Sequence, residues 1–134
     1  MSSYIIHRDR ARQLIDFSNL RFGTRMPTDI DGCFEYDDRA MILLEFKYGD
    51  APMSLGQMLA LTRNVDNNQK AGKESALFVC RHSVEDCEED IDAAEAIVSD
   101  IYYKQQWYSD GKSTVKKRLK SFIKYVDSFK TKGE

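Results

Sequence analysis

The stretch Pro27-Thr28-Asp29-Ile30-Asp31-Gly32-Cys33-Phe34-Glu35-Tyr36-Asp37-Asp38-Arg39-Ala40-Met41-Ile42-Leu43-Leu44-Glu45-Phe46-Lys47-Tyr48 decides how this chain is read. Two β-prone runs, 30–36 and 40–48, flank Asp37-Asp38-Arg39, so the stretch predicts a hairpin. With the turn centred on Asp38, Asp31 faces Glu45 and Asp29 faces Lys47. Directly opposed residues have Cβ atoms about 4.5–5.5 Å apart. Alternation along each strand puts Asp29, Asp31, Glu45 and Lys47 on one face. Ile30, Phe34, Leu44 and Phe46 point mainly to the other.

Facing carboxylates are costly. Two unit charges 4 Å apart repel by about 4 kcal/mol at an effective dielectric near 20. A small domain has only about 5–15 kcal/mol of stability in total. Either one acid keeps its proton or a cation lies between the two. An open, oxygen-rich pair suits Mg²⁺ or Mn²⁺. A lysine two residues beyond one ligand can then orient a metal-bound water, which is the equipment for hydrolysing a phosphodiester. The same letters also fit an exposed sheet face with a cross-strand salt bridge of little worth. A one-residue shift of the turn would part Asp31 from Glu45.

Outward from the hairpin, Pro52 and Ser54 open a helix whose apolar stripe runs through Leu55, Met58/Leu59, Thr62 and Val65. Ser75 to Arg81 reads as a buried strand. The acidic stretch after it reads as a surface helix or loop, and Ala94 to Tyr108 as one or two strands. Asp110-Gly111 is a turn. Val115, Leu119, Phe122, Val126 and Phe129 form the stripe of a final helix. Upstream, Arg8 to Leu20 has helical spacing at Ala11, Leu14 and Ile15, followed by a loop over 23–28. The order α-β-β-α-β-(β)-α predicts an α/β fold, a mixed central sheet flanked by helices, with residues 1–134 as one domain.

Composition is that of a globular protein, and no apolar run approaches the length of a membrane span. The N-terminal residues lack the pattern of a signal peptide, so a cytoplasmic location is expected. Cys33, Cys80 and Cys87 are odd in number and show no zinc-site spacing. Cys33 and Cys80 lie in apolar runs and are expected to be structural thiols that behave as small buried hydrophobes. Net charge is −2, yet its distribution is uneven. Six acids and no base lie between Glu85 and Asp92, against eight bases and two acids from Lys112 to Glu134. With Arg8 and Arg12 near the start and Lys116, Lys117 and Lys120 near the end, basic segments suited to a phosphate backbone flank an acidic middle. Ordinary solvated helix faces explain each segment equally well.

Pro27-Thr28-Asp29-Ile30-Asp31 followed by Glu45-Phe46-Lys47 resembles the P-D…(D/E)-x-K signature of the PD-(D/E)XK nuclease superfamily. That group includes restriction enzymes, junction resolvases and many phage-borne nucleases. The resemblance covers about the first two-thirds of the chain and implies a restriction-endonuclease-like αβββαβ core with a C-terminal helix. It implies Asp31 and Glu45 as metal ligands, the Phe46 carbonyl as a third, and Lys47 as the residue that positions the attacking water. Asp29 ranks second as a replacement for Asp31. Several branches carry a glutamine facing the site early in the next helix, where Gln57 stands. The first-helix glutamate of many relatives is missing; Asp9 and Asp16 are the acids available there. His82, at the end of a predicted strand, is more simply a histidine satisfied by backbone than a ligand.

The expected activity is therefore a Mg²⁺- or Mn²⁺-dependent nuclease acting on DNA, with a metal-bound water oriented by Lys47. A homodimer would supply the surface that so small a chain lacks. The rival is a weakened or inactive nuclease-fold module that binds nucleic acid or a protein. A hydrolase of smaller phosphate esters is a third reading and requires a closed pocket.

Overall fold

The computed structural model describes residues 13–133, with the side chains of 130–133 excepted. Its nucleus is the hairpin of β1 (Gly32–Tyr36) and β2 (Ala40–Tyr48). Asp37 and Asp38 take left-handed backbone angles, φ 50° and 58°, and the Arg39 N–H closes the turn on the Tyr36 carbonyl at 2.8 Å. Aspartate tolerates that region because its short polar side chain bonds locally. The register runs from Tyr36↔Ala40 to Gly32↔Leu44, the pairing expected for a turn centred on Asp38.

From β2 the chain crosses over through α1 (Leu55–Lys70) to β3 (Glu74–His82), which pairs parallel to β2 from Ala40↔Glu74 to Tyr48↔His82. Ser54 caps α1 by accepting the Gln57 N–H at 3.1 Å. Gly72, at φ 93°, reverses the chain after the helix, a conformation that costs other residues a steric clash. β4 (Ile97–Tyr103) and β5 (Gln106–Ser109) complete a five-stranded sheet in the order β1-β2-β3-β4-β5, with only the β2/β3 pair parallel. Asp110 starts the last connection. Its carboxylate accepts the Lys112 and Ser113 N–H groups and pairs with Arg118 at 2.6 Å, fixing the entry to α2 (Val115–Gly133).

Alternation along the strands builds two cores. One face presents Leu43, Leu77 and Tyr102 to Leu61 and Val65 of α1. The other presents Ile42, Ala76, Phe78 and Val98 to Val115 and Val126 of α2, with Leu119 and Phe122 alongside. Phe34, Leu44 and Phe46 pack on the α2 side, as the alternation required.

The mixed sheet, the flanking helices and the C-terminal helix agree with the sequence reading. Among the described residues two strands precede α1, where an αβββαβ order has three. The expected helix Arg8–Leu20 lies partly outside the described residues; within them 13–17 are non-helical and only Ser18–Leu20 forms a 3₁₀ turn. The Asp16 carboxylate accepts the Ser18 N–H at 2.9 Å, a local bond that competes with the helical ladder. Leu14 and Ile15 are exposed, so the apolar spacing has no described surface to bury against. Cys33 is exposed as well, contrary to expectation, because β1 is an edge strand that α1 does not cover. Cys80 is buried, and burial lifts its thiol to about 12. No helix among the described residues is long and apolar enough to cross a membrane.

Candidate functional site

The parallel pair β2/β3 ends where α1 begins, and such strand ends are where open α/β sheets gather ligands. Glu45 and Lys47 lie there on the α1 face of β2. Asp31 sits one residue before β1, and its Oδ2 accepts the Phe46 N–H at 2.8 Å. That bond anchors Asp31 to the edge of β2 beside Glu45. Since the amide and carbonyl of one strand residue face the same edge, the Phe46 carbonyl faces the β1 edge of β2 as well.

Glu45 is 2% exposed, unusual for a carboxylate. Its Oε2 is held twice, by Gln57 Nε2 at 2.6 Å and by Lys47 Nζ at 3.5 Å. Its Oε1 is buried with no hydrogen-bond partner among the described residues. Burial, and then the nearby Asp31 charge, raise the Glu45 carboxyl from 4.5 to about 6, while Lys47 pulls the other way. Gln57 reaches Glu45 because the Ser54 cap sets the helix phase so that its side chain turns to β2.

The donors fit a hard divalent cation: two carboxylates, one with a bare buried oxygen, and a main-chain carbonyl beside them. Asp31 and Glu45 are the only acids in this set; no cluster of three His, Cys, Asp or Glu side chains able to hold an ion occurs among the described residues.

Asp31, Glu45, Lys47 and Gln57 are thus brought together. Asp29 is exposed ahead of β1, and no hydrogen bond or ion pair joins it to them. His82 lies on the opposite face, edge-on to Tyr48, with its Nδ1 accepting the Val84 N–H at 3.2 Å. Asp16 is turned to Ser18, and Asp9, Arg8 and Arg12 lie outside the described residues. Lys116, Lys117 and Lys120 are exposed on α2, and the sheet separates them from Glu45, so they line no common groove with it.

Arg81 was not anticipated. It is the register partner of Lys47, donates to the Gly49 and Ala51 carbonyls and to Ser99, and so ties the loop after β2 to β3. Its signal was a lone charge closing the apolar run S-A-L-F-V-C-R. No family model, no curated protein and no solved structure matches the chain.

Proposed function

We propose that the chain is a divalent-metal-dependent nuclease that hydrolyses phosphodiester bonds in DNA. The observation that carries this reading is the buried, unpartnered Oε1 of Glu45 beside the Asp31 carboxylate. A cation between the two carboxylates would relieve both the burial of Glu45 and its repulsion from Asp31.

Asp31, Glu45 and the Phe46 carbonyl would hold Mg²⁺ or Mn²⁺. When bound, the ion lends positive charge to phosphate oxygens and acidifies water. Gln57 fixes the Glu45 carboxylate by its other oxygen, leaving Oε1 free. Lys47, 3.5 Å from the Glu45 carboxylate, would orient the attacking water by donating an N–H to its oxygen. With its carboxyl raised to about 6, Glu45 would offer its oxygens to an ion more fully as pH rises above that value. Below about pH 6 protons compete for the same oxygens.

The second reading, a binding module on a weakened site, draws support from the α2 lysines lying behind the sheet and from the net charge of −2. Calorimetric titration with Mn²⁺ separates the two. Wild type binds one ion with micromolar to millimolar affinity, Glu45→Gln does not, and Asp31→Ala and Lys47→Ala abolish cleavage of plasmid and oligonucleotide DNA while remaining folded. Absence of Mn²⁺ binding to the wild type, or cleavage by both alanine variants at the wild-type rate, removes the proposal.

A further inference from the structure

We infer that the cleft beside Trp107 takes one unpaired nucleobase of the strand being cut, so that the substrate is single-stranded or locally opened DNA. This rests on the function proposed above and names its substrate class.

The cleft, of about 320 Å³, lies on the α1 face between β3–β5 and the first turn of α1. Met53, Met58 and Val79 wall it, Trp107 flanks it, and Arg81 and Asp100 supply its polar groups. It shares two pieces of framework with the carboxylate pair. Glu45, Val79 and Asp100 form one cross-strand row, so the cleft floor starts one strand, about 4.8 Å, from Glu45. Gln57 and Met58 are successive residues of α1: the first holds Glu45 and the second lines the cleft. A strand with a phosphate at Glu45 and Lys47 therefore has a neighbouring base within reach of the cleft.

The lining fits a base better than an aliphatic ligand. Trp107 is 44% exposed, lines the cleft, and packs tilted against Tyr102 with ring centroids 5.2 Å apart. Every base has a π-face to stack on such a ring. Methionine walls adapt to a flat heterocycle. Asp100 accepts from Ser99 through Oδ2, and a carboxylate has further lone pairs for a base N–H. Arg81, the partner of Lys47 in register, brings positive charge to the cleft's lining. In a closed duplex the base faces are covered by their neighbours, so only an unstacked base reaches the ring.

Trp107 is the single tryptophan, so its fluorescence reports the cleft alone. The probe is a short fluorescein-labelled single-stranded deoxyoligonucleotide of mixed sequence, titrated into the full chain in EDTA, where no cleavage occurs. Saturable quenching of Trp107 emission is expected, with weaker binding of the blunt duplex of the same sequence. Anisotropy of the label is expected to show roughly tenfold weaker binding by Trp107→Ala and near-complete recovery in Trp107→Phe, the range set by base–aromatic stacking. Trp107→Phe retains the packing on Tyr102, so its recovery also separates stacking from misfolding. Binding without quenching, unchanged affinity in Trp107→Ala, equal quenching by the duplex, or no binding overturns the inference. Cleavage without quenching removes the cleft and leaves the nuclease; quenching without Mn²⁺-dependent cleavage does the reverse.

Discussion

Replacing Glu45 by glutamine tests the carboxylate pair without any substrate. The Glu45 carboxyl is almost wholly enclosed, one oxygen has no partner, and its proton is held up to about pH 6 against 4.5 when free. A difference of about 1.5 units corresponds to about 2 kcal/mol at 1.36 kcal/mol per unit. The folded protein binds this proton more tightly than the unfolded chain does. Its favourable contribution is therefore complete below pH 4.5 and lost as pH rises through 6. Glutamine is neutral throughout and still offers an oxygen to Gln57. Urea titrations in EDTA from pH 4 to 8 should give equal stabilities at the acid end. At pH 8 the variant should be ahead by about 2 kcal/mol, a figure that already includes the Lys47 attraction. Titrations of groups remote from Glu45 cancel in the difference between the two proteins, whereas Asp31 and Lys47 titrate together with it. Saturating Mn²⁺ should then stabilise the wild type and leave the variant unchanged. A stability difference that stays flat with pH, or a variant weaker by about 2 kcal/mol at pH 8, would mean that the Glu45 charge does not burden the folded state.

Lys47→Met removes the charge that holds the Glu45 carboxyl down, so the pH midpoint of Mn²⁺ binding should rise above that of wild type; an unmoved midpoint means Lys47 does not act on Glu45. Burial pushes the Asp110 carboxyl up, but the Lys112 N–H, Arg118 and the Ser113 N–H outweigh it and hold the group at about 2. Asp110→Ala should therefore cost about 2 kcal/mol above pH 4, a cost that fades as pH falls from 3.8 toward 2, as read by thermal unfolding. Replacing Lys116, Lys117 and Lys120 together by alanine should leave DNA cleavage within about twofold of wild type, since those residues stand behind the sheet. A tenfold loss would put the substrate on the α2 face.

What the sequence disclosed was whatever short-range chemistry alone determines. Asp37-Asp38 specified the reversal, the reversal specified the register, and the register opposed Asp31 to Glu45. The Ser54 cap set the phase of α1 and with it the direction of Gln57. The α2 stripe was legible from its spacing, although Phe129 at its end is exposed. What stayed hidden depends on which surfaces meet. Leu14 and Ile15 have helical spacing but nothing described to pack on. Cys33 sits in an apolar run, yet its strand is an edge. Lys104 and Gln105 make the β4/β5 turn at φ 48° and 65° without a glycine to announce it. Arg81 and Trp107 join the neighbourhood of Glu45 only because β3, β4 and β5 lie in sequence order across the sheet.

That single parallel pairing also governs how the molecule assembles. Both hairpins close between near neighbours in sequence, and hairpins form in about 1–10 μs. The β2/β3 ladder joins partners such as Met41 and Ser75, 34 positions apart, and can zip only after α1 has folded back over the sheet. Asp31 and Glu45 meet within the first hairpin and Gln57 lies only 12 positions beyond Glu45, but Arg81 and the Trp107 cleft reach them only through the β2/β3 ladder. Half-assembled chains accordingly hold the two acids in open water, where their repulsion is weak and no ion is gripped. The enclosed setting of Glu45 is therefore complete only once β3 has joined β2.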